Sequence, residues 1–396
     1  MGTRKVAAFG RVLVDQNENE VIGELQATPS EYTLLRRLKD LLTGTILAAG
    51  SAVIGKVRLV TATGDELTDD TADAIKVTSV DAAGIYEGMF GKPELRYAKN
   101  SRAYWSRGTT SPRNQKGGTG WLACLHGRVQ TGDDWAAIYV PVNELPVTDF
   151  DTAKWSYYMT TTQTMGVNIV VWVHDPDDFD KRAEITQLGG VAGLEKAAGW
   201  NAHEFDSTDG GMFWYGENTG THDTTVTAGT QYTWAQFQAD DVFSTYTIYR
   251  ISFEFGWEAA GTFDHAWVAD VMLNGQQIPL KPRSDADLTP IHDYLDIADT
   301  ASFTVAPKTP FKLLSLDVHA SAVLDTGEVL TITKDAGMDT SFDTVILSED
   351  LFIGSRTSYH AVFGEGFEFH EDDELDVAQA NTSNDTIGFD LCWKPL

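Results

Sequence analysis

"TYTIYRISFEFGW" (Thr245–Trp257) alternates with a period of two: Tyr249, Ile251, Phe253, Phe255 and Trp257 fall on one face, Arg250, Ser252 and Glu254 on the other. Successive side chains of a β-strand point to opposite sides of its sheet, so this pattern predicts a strand with one face in a core. Its neighbours agree. "VNIVVWV" (Val167–Val173) reads as a buried strand. "AWVADVMLNGQQIPL" (Ala266–Leu280) reads as a strand, a turn at Asn274–Gly275 and a return strand, because Asn-Gly supplies the left-handed pair that a tight hairpin needs. One short helix is expected around "GLEKAAGW" (Gly193–Trp200). Residues from about 120 to 283 are therefore expected to form an antiparallel β-sandwich.

The same style continues towards the C-terminus. "FKLLSLDVHA" (Phe311–Ala320), "EVLTITKD" (Glu328–Asp335), "DTVILSED" (Asp343–Asp350), "ELDVAQAN" (Glu374–Asn381) and "TIGFDLCW" (Thr386–Trp393) are strands at regular spacing. They predict a second sandwich, entered through the proline-bearing linker "KPRSDADLTP" (Lys281–Pro290). The fold class is mainly β: an attachment region over 1–85 with one short amphipathic helix, then two antiparallel jelly-roll-like sandwiches over 86–283 and 284–396.

The helix of the first region is "TPSEYTLLRRLKDLLTG" (Thr28–Gly44). Thr28 is a good N-cap, Pro29 suits the first helical position, Glu31 completes a capping box and Gly44 supplies the stop. Leu34, Leu35, Leu38, Leu41 and Leu42 make one broad apolar face. Such a helix spans only about 20 Å, and its short flanking strands have too few large apolar residues to cover that face. Symmetric self-association is the expected solution, with packing on the chain's own downstream domain as the alternative. "VIGEL" (Val21–Leu25) and "VIGKV" (Val53–Val57) flank it as two similar short strands.

The net charge of −29 is unevenly placed. Residues 1–130 hold 17 Lys and Arg against 14 Asp and Glu, whereas residues 131–396 hold 12 against 44. An acidic body keeps copies soluble and repels polyanions. Between 91 and 128, eight basic residues and one acidic one are interleaved with Tyr97, Tyr104, Trp105 and Trp121. That composition suits single-stranded nucleic acid, but a basic segment lying against this protein's own acidic body is the expectation. The two cysteines, Cys124 and Cys392, are too few and too far apart for a disulfide framework or a zinc pattern, and buried thiols are expected. No apolar run has the length of a membrane-spanning helix, and "MGTRKVAAFGRVLVDQ" (Met1–Gln16) does not read as an export signal.

Phosphate-loop, dinucleotide, serine-hydrolase and zinc-protease motifs are absent from the sequence, and the nine histidines are scattered without metal-ligand spacing. No catalytic residue, metal or cofactor is therefore assigned. The best enzymatic candidate is "NAHEFDSTDGG" (Asn201–Gly211), where Glu204 and Asp206 would share a strand face as a glycosidase carboxylate pair, with Asp209 third. "HDPDDFD" (His174–Asp180) and "HEDDELD" (His370–Asp376) are read as solvated acidic loops rather than calcium sites. Trp200, Trp214, Tyr215 and Trp234 are the candidate glycan-stacking aromatics, against the alternative that they fill the core.

The stretch from Ser30 to Val57, "SEYTLLRRLKDLLTGTILAAGSAVIGKV", resembles the N-terminal part of tailed-bacteriophage virion proteins. "DWAAIYVPVNELPVTDFDTAKWSYYM" (Asp134–Met159) and the stretch from Tyr246 to Leu280 resemble the concanavalin-like jelly rolls fused to them. "GEVLTITKDAGMDTSFDTVILSEDL" (Gly327–Leu351) and "LDVAQANTSNDTIGFDLCW" (Leu375–Trp393) are similar to the C-terminal sandwiches of head-fibre and decoration proteins. The resemblance implies a non-enzymatic, homotrimeric virion component, assembled in the host bacterial cytoplasm and attached through its N-terminal region to a major capsid or other virion protein. The alternative expectation is a tail-fibre adhesin that binds a host surface glycan, and a glycoside hydrolase is the third. Neither nucleic acid nor membrane is an expected partner.

Overall fold

The computed structural model describes residues 13–14, 20–22, 88–107, 112–116, 118–217, 224–256, 259–325, 327–351 and 355–396. The chain falls into two units, Met1–Val77 and Thr78–Leu396. In the first, the described part is one antiparallel pair, β1 (Leu13–Val14) with β2 (Glu20–Ile22). The helix expected over Thr28–Gly44, with Leu34, Leu35, Leu38, Leu41 and Leu42, lies outside the described residues. So do Val53–Val57 and Trp257.

The second unit is mainly β and holds two antiparallel, jelly-roll-like sandwiches. The first sandwich runs through β3 (Glu94–Ala98), β4 (Arg102–Arg107), β5 (Trp121–Gly132), β6 (Trp135–Pro146), β7 (Ala153–Met159) and β8 (Asn168–Asp175). It continues through β9 (Asp178–Gln187), β10 (Gly199–Phe205), β11 (Met212–Glu217), β12 (Thr247–Gly256), β13 (Ala259–Leu273) and β14 (Gln276–Ile278). One sheet has the order β10-β7-β13-β5-β4 with β14 on β13; the other has the order β11-β9-β8-β12-β6-β3. Their inner faces meet around Trp155, Tyr157, Ile169, Val171, Ile251 and Phe253. The β13–β14 hairpin turns at Asn274 and Gly275, whose φ angles of 44° and 76° are the left-handed pair expected of Asn-Gly.

Strand β12 departs from simple alternation. Its pairing with β8 shifts between Ile248 and Arg250, so Tyr249 is an extra residue in the ladder. Ile251, Phe253 and Phe255 point inward as expected, but Ile248 joins them in the core and Tyr249 stays half-exposed beside Arg250. The expected helix over Gly193–Trp200 is also absent. There Lys196 Nζ donates to the carbonyls of Val191 at 2.7 Å and Leu194 at 2.6 Å, and the Asn201 amide brackets the backbone of Ala197. The polar groups a helix would use are committed to turns. The described α-helix is α1 (Trp234–Gln238), held by a Thr233/Gln236 capping box and anchored by buried Trp234 and Phe237.

The second sandwich comprises β15 (Ile291–Ile297), β16 (Ala301–Val305), β17 (Phe311–Ala320), β18 (Val329–Asp335), β19 (Thr344–Asp350), β20 (Ser358–Phe369), β21 (Glu374–Gln379) and β22 (Ile387–Pro395). They form two four-stranded sheets, β15-β22-β17-β20 and β16-β21-β18-β19. Its core is continuous with Tyr104, Leu122, Cys124 and Trp267, which stand on the outer face of the β10-β7-β13-β5-β4 sheet. One face of the first sandwich is therefore covered by the second, and among the described residues it is the opposite sheet that keeps an exposed outer face. Both cysteines are free and buried.

The basic segment closes this seam. Lys92 pairs with Asp287 at 2.5 Å, Arg102 with Asp293 at 3.1 Å, Arg128 also with Asp293, and Arg113 with Glu371. Arg113 also lies over the Trp267 ring at 4.3 Å, and Tyr104 donates its hydroxyl to Pro307 O at 2.5 Å. These basic and aromatic side chains are committed to the acidic C-terminal sandwich. The acidic loop His370–Asp376 is correspondingly not a solvated one. Glu371 and Asp373 are buried, and Asp373 and Glu374 pair with Lys334 at 2.7 Å and Lys308 at 2.6 Å. In His174–Asp180, Asp175 and Asp178 share Lys181 at 3.6 and 3.8 Å.

Candidate functional site

The open outer face belongs to the β11-β9-β8-β12-β6-β3 sheet. Antiparallel register places Tyr215 of β11 opposite Glu184 of β9, Glu184 opposite Trp172 of β8, and Trp172 opposite Arg250 of β12. Residues directly opposite each other point to the same side, so four strands contribute one continuous row: aromatic, carboxylate, aromatic, guanidinium. This row floors a cleft of about 480 Å³, with Phe179, Arg182 and Tyr249 along its wall. Phe179 and Tyr215 are 50% and 40% exposed.

The bulge in β12 makes this floor wider than regular alternation would. Tyr249 and Arg250 are successive residues, yet both line the cleft. The Arg250 guanidinium lies 3.9 Å from the Trp172 ring centroid and 4.2 Å from that of Tyr139. A cation held between two ring faces is pre-organised, with little side-chain freedom left to lose on binding. At one end His174, Phe179 and Tyr249 pack edge to face, with centroids 4.8 to 5.6 Å apart. His174 Nε2 lies 3.0 Å from Glu144 Oε2, which also accepts from Thr247 Oγ1 at 2.7 Å.

Beneath the row runs a hydrogen-bond relay. Trp172 Nε1 donates to Ser252 Oγ at 2.8 Å, and Ser252 Oγ donates to Glu254 Oε1 at 2.6 Å. Burial pushes the Glu254 carboxyl up to about 7; Glu184 adds to this, while the Ser252 bond and Arg250 oppose it. Burial likewise raises the Tyr139 hydroxyl to about 12, with Glu254 adding to it. The orientation of Trp172 is thus fixed from both sides, by Arg250 above and Ser252 below.

The four aromatics proposed from sequence do not assemble into one platform. Tyr215 stands in the cleft row. Trp214, its neighbour on β11, points the other way into the core and donates to Val226 O at 3.0 Å. Trp234 is fully buried and donates to Phe150 O at 2.7 Å. Trp200 lies on β10 of the opposite sheet, edge-on to Tyr158 and donating to Pro112 O at 2.6 Å. The alternation that hid Trp172 inside an apolar run is the signal that could have found it: its neighbours Val171 and Val173 are core, so Trp172 faces out.

The carboxylates of Asn201–Gly211 do not form the glycosidase pair. Strand β10 ends at Phe205, so Asp206 is past the strand and caps a turn by accepting from Thr208 N at 2.7 Å. Glu204 pairs with Lys154 at 2.6 Å, and Asp209 lies 3.3 Å from His203 Nε2 while also accepting from Asp206 N at 2.8 Å.

No family model and no curated protein matches this sequence. Among solved structures the chain is similar to the family 11 carbohydrate-binding module of the cellulosomal cellulase Lic26A-Cel5E of Clostridium thermocellum, at 8% identity over 46% of this chain and 86% of that one, with a TM-score of 0.29. It is similar to an archaeal virus protein described as a triple jelly roll in a turret assembly, at 9% identity over 74% of this chain and 58% of that one, with a TM-score of 0.22. It is also similar to the N-terminal tandem of family 22 modules of Paenibacillus barcinonensis Xyn10C, at 10% identity over 76% and 86%, with a TM-score of 0.22. At these scores the likenesses carry no argument about function; the site stands on its own geometry.

Proposed function

We propose that this chain is a non-enzymatic carbohydrate-binding protein whose ligand lies across the outer face of the β11-β9-β8-β12-β6-β3 sheet. The observation that carries the reading is the cross-strand row Tyr215, Glu184, Trp172, Arg250. A pyranose ring has apolar C–H faces and a polar equator of hydroxyls. Aromatic faces accept the former, while carboxylate and guanidinium groups between them hydrogen-bond the latter. Strands are about 4.8 Å apart, so Tyr215 and Trp172, two strands apart, are spaced on the scale of successive sugars in an extended chain. The ligand class is an uncharged, extended oligosaccharide, because the cleft carries charges of both signs, the Glu184 carboxylate beside the Arg182 and Arg250 guanidiniums, rather than a field of one sign.

The wider setting proposed is a bacteriophage virion: a homotrimeric head fibre or capsid decoration, attached through residues 1–85 and presenting the sandwiches to a host surface glycan. The resemblance of Ser30–Val57, the leucine face of Thr28–Gly44 and the acidic body support this setting.

The test is titration of the full chain with soluble β-linked glucans and bacterial surface polysaccharides, read by tryptophan fluorescence and calorimetry. Saturable binding lost in Trp172→Ala and Tyr215→Ala is expected. Folded protein that binds none of the panel, or binding indifferent to both substitutions, would sink the proposal.

A further inference from the structure

A second cluster of chemistry-bearing side chains lies away from the cleft, on the sheet that faces the second sandwich. His126 of β5 and His265 of β13 are direct cross-strand partners, and their rings stack with centroids 3.7 Å apart at 21°. Among the described residues they form, with Asp264, the one group of three whose candidate donor atoms all lie within 4.8 Å of one another. Asp264 and His265 are neighbours in sequence, and the β5–β13 register brings His126 to them.

His265 is the informative member. Its side chain is 5% exposed, and Nδ1 lies 2.6 Å from Asp264 Oδ1. Asp264 is itself steadied by the Thr160 hydroxyl. A proton on Nδ1 shared with a carboxylate leaves Nε2 as the bare lone pair of the ring. That Nε2 is buried and has no hydrogen-bond partner. An orphaned buried acceptor is costly, and native proteins rarely leave one without a ligand or water to fill it. A carboxylate fixing one ring nitrogen so that the other presents its lone pair is the arrangement by which proteins orient a metal-binding imidazole.

We infer that His126, Asp264 and His265 form a binding site for a divalent transition-metal ion of the zinc class, His265 and His126 supplying nitrogen and Asp264 orienting His265. Two imidazoles beside a carboxylate suit Zn²⁺, Ni²⁺ or Cu²⁺ rather than Ca²⁺ or Mg²⁺. The surrounding cations do not stand unopposed: Arg102 and Arg128 share Asp293, Arg113 pairs with Glu371, and Lys308 with Glu374. His126 also borders a cavity of about 70 Å³ between the sandwiches, which has room for water to complete the coordination. The two ring planes are nearly parallel, so one ring must turn about its Cβ–Cγ bond for both lone pairs to face one ion. Binding therefore breaks the stack and staples β5 to β13 beside the seam.

The test is titration of metal-free full-length protein with Zn²⁺ against a chromophoric chelator, with Ca²⁺ as the control ion and Co²⁺ absorption as a reporter of nitrogen ligation. One Zn²⁺ per chain, indifferent to Ca²⁺ and raising the melting temperature, is expected. His126→Ala and His265→Ala should each abolish it, and Asp264→Asn should weaken it about ten- to a hundredfold. If His265→Ala does not fold, His126→Ala and Asp264→Asn carry the comparison. Absence of Zn²⁺ binding overturns the inference. So does binding unchanged in these variants but removed by substituting the histidines of the second sandwich, His292, His319, His360 and His370.

Discussion

Asp293 and Arg102 meet across the seam between the two sandwiches, Oδ1 to Nε at 3.1 Å, with side chains only 8% and 6% exposed. The same carboxylate takes Arg128 on Oδ1 and the Trp393 indole N–H on Oδ2 at 2.8 Å. One acid thus answers two guanidiniums, one of them deeply buried, and an indole. Removing one partner of a buried ion pair leaves an uncompensated charge and costs about 3–5 kcal/mol. Asp293→Ala should lower stability by that amount and split thermal unfolding into two calorimetric transitions as the sandwiches uncouple. A single transition at the parent temperature would show that the seam is held by its apolar contacts alone.

Glu254 should make stability fall as the solution becomes alkaline. Its folded value of about 7 lies above the ordinary value of 4.5, so the folded state holds a proton that the unfolded chain has released. The group's stabilising contribution is full below pH 4.5, declines as pH rises, and is gone above pH 7. At about 1.4 kcal/mol per unit, the span is worth on the order of 3 kcal/mol. Glu254→Gln should be the more stable protein at pH 8, and the difference between the two should shrink towards pH 4. Parallel pH profiles in urea titration would refute this.

Trp172 and Trp234 should separate binding from folding. Trp234→Ala removes a fully buried ring and should cost about 3–5 kcal/mol, with little change in the affinity of the protein that remains folded. Trp172→Ala should cost under about 2 kcal/mol and reduce glycan affinity at least about tenfold, as expected for an aromatic anchor. Equal affinity losses in the two variants, measured calorimetrically, would mean that the cleft is not the binding face.

Leu38→Asp tests the proposed trimer. A charge in the middle of the Thr28–Gly44 leucine face should convert the oligomer to a monomer by light scattering, with the melting transition of the sandwiches unchanged. A monomeric parent protein would remove the basis for this reading.

Strands with alternating or continuous apolar patterns were legible directly: Phe311–Ala320 was marked by its sequence alone and forms β17 over those residues. The edge strand β20 was not, because Ser358–Phe369 faces solvent along much of its length and is broken by Gly364 and Gly366 at φ 61° and 96°. Among the residues of the cleft row, Tyr215 was recognisable as an aromatic, but its partners were not. Glu184, Trp172 and Arg250 become neighbours only through inter-strand register, which depends on pairs distant in sequence. Arg102, Arg113 and Arg128 read as a basic run, and their role as seam partners required the position of Asp293 and Glu371.

The extra residue in β12 sets the parity of that strand. On one side of Tyr249 the core takes even-numbered residues, such as Ile248; on the other it takes odd ones, Ile251, Phe253 and Phe255. Deleting Tyr249 would restore regular alternation, with Ile248, Ile251, Phe253 and Phe255 all still directed into the core and one residue instead of two opposite Trp172. The width of the cleft floor is thus set by the count of residues in one strand, and a lineage could widen or narrow it through one in-frame codon while both sheets kept their strand order.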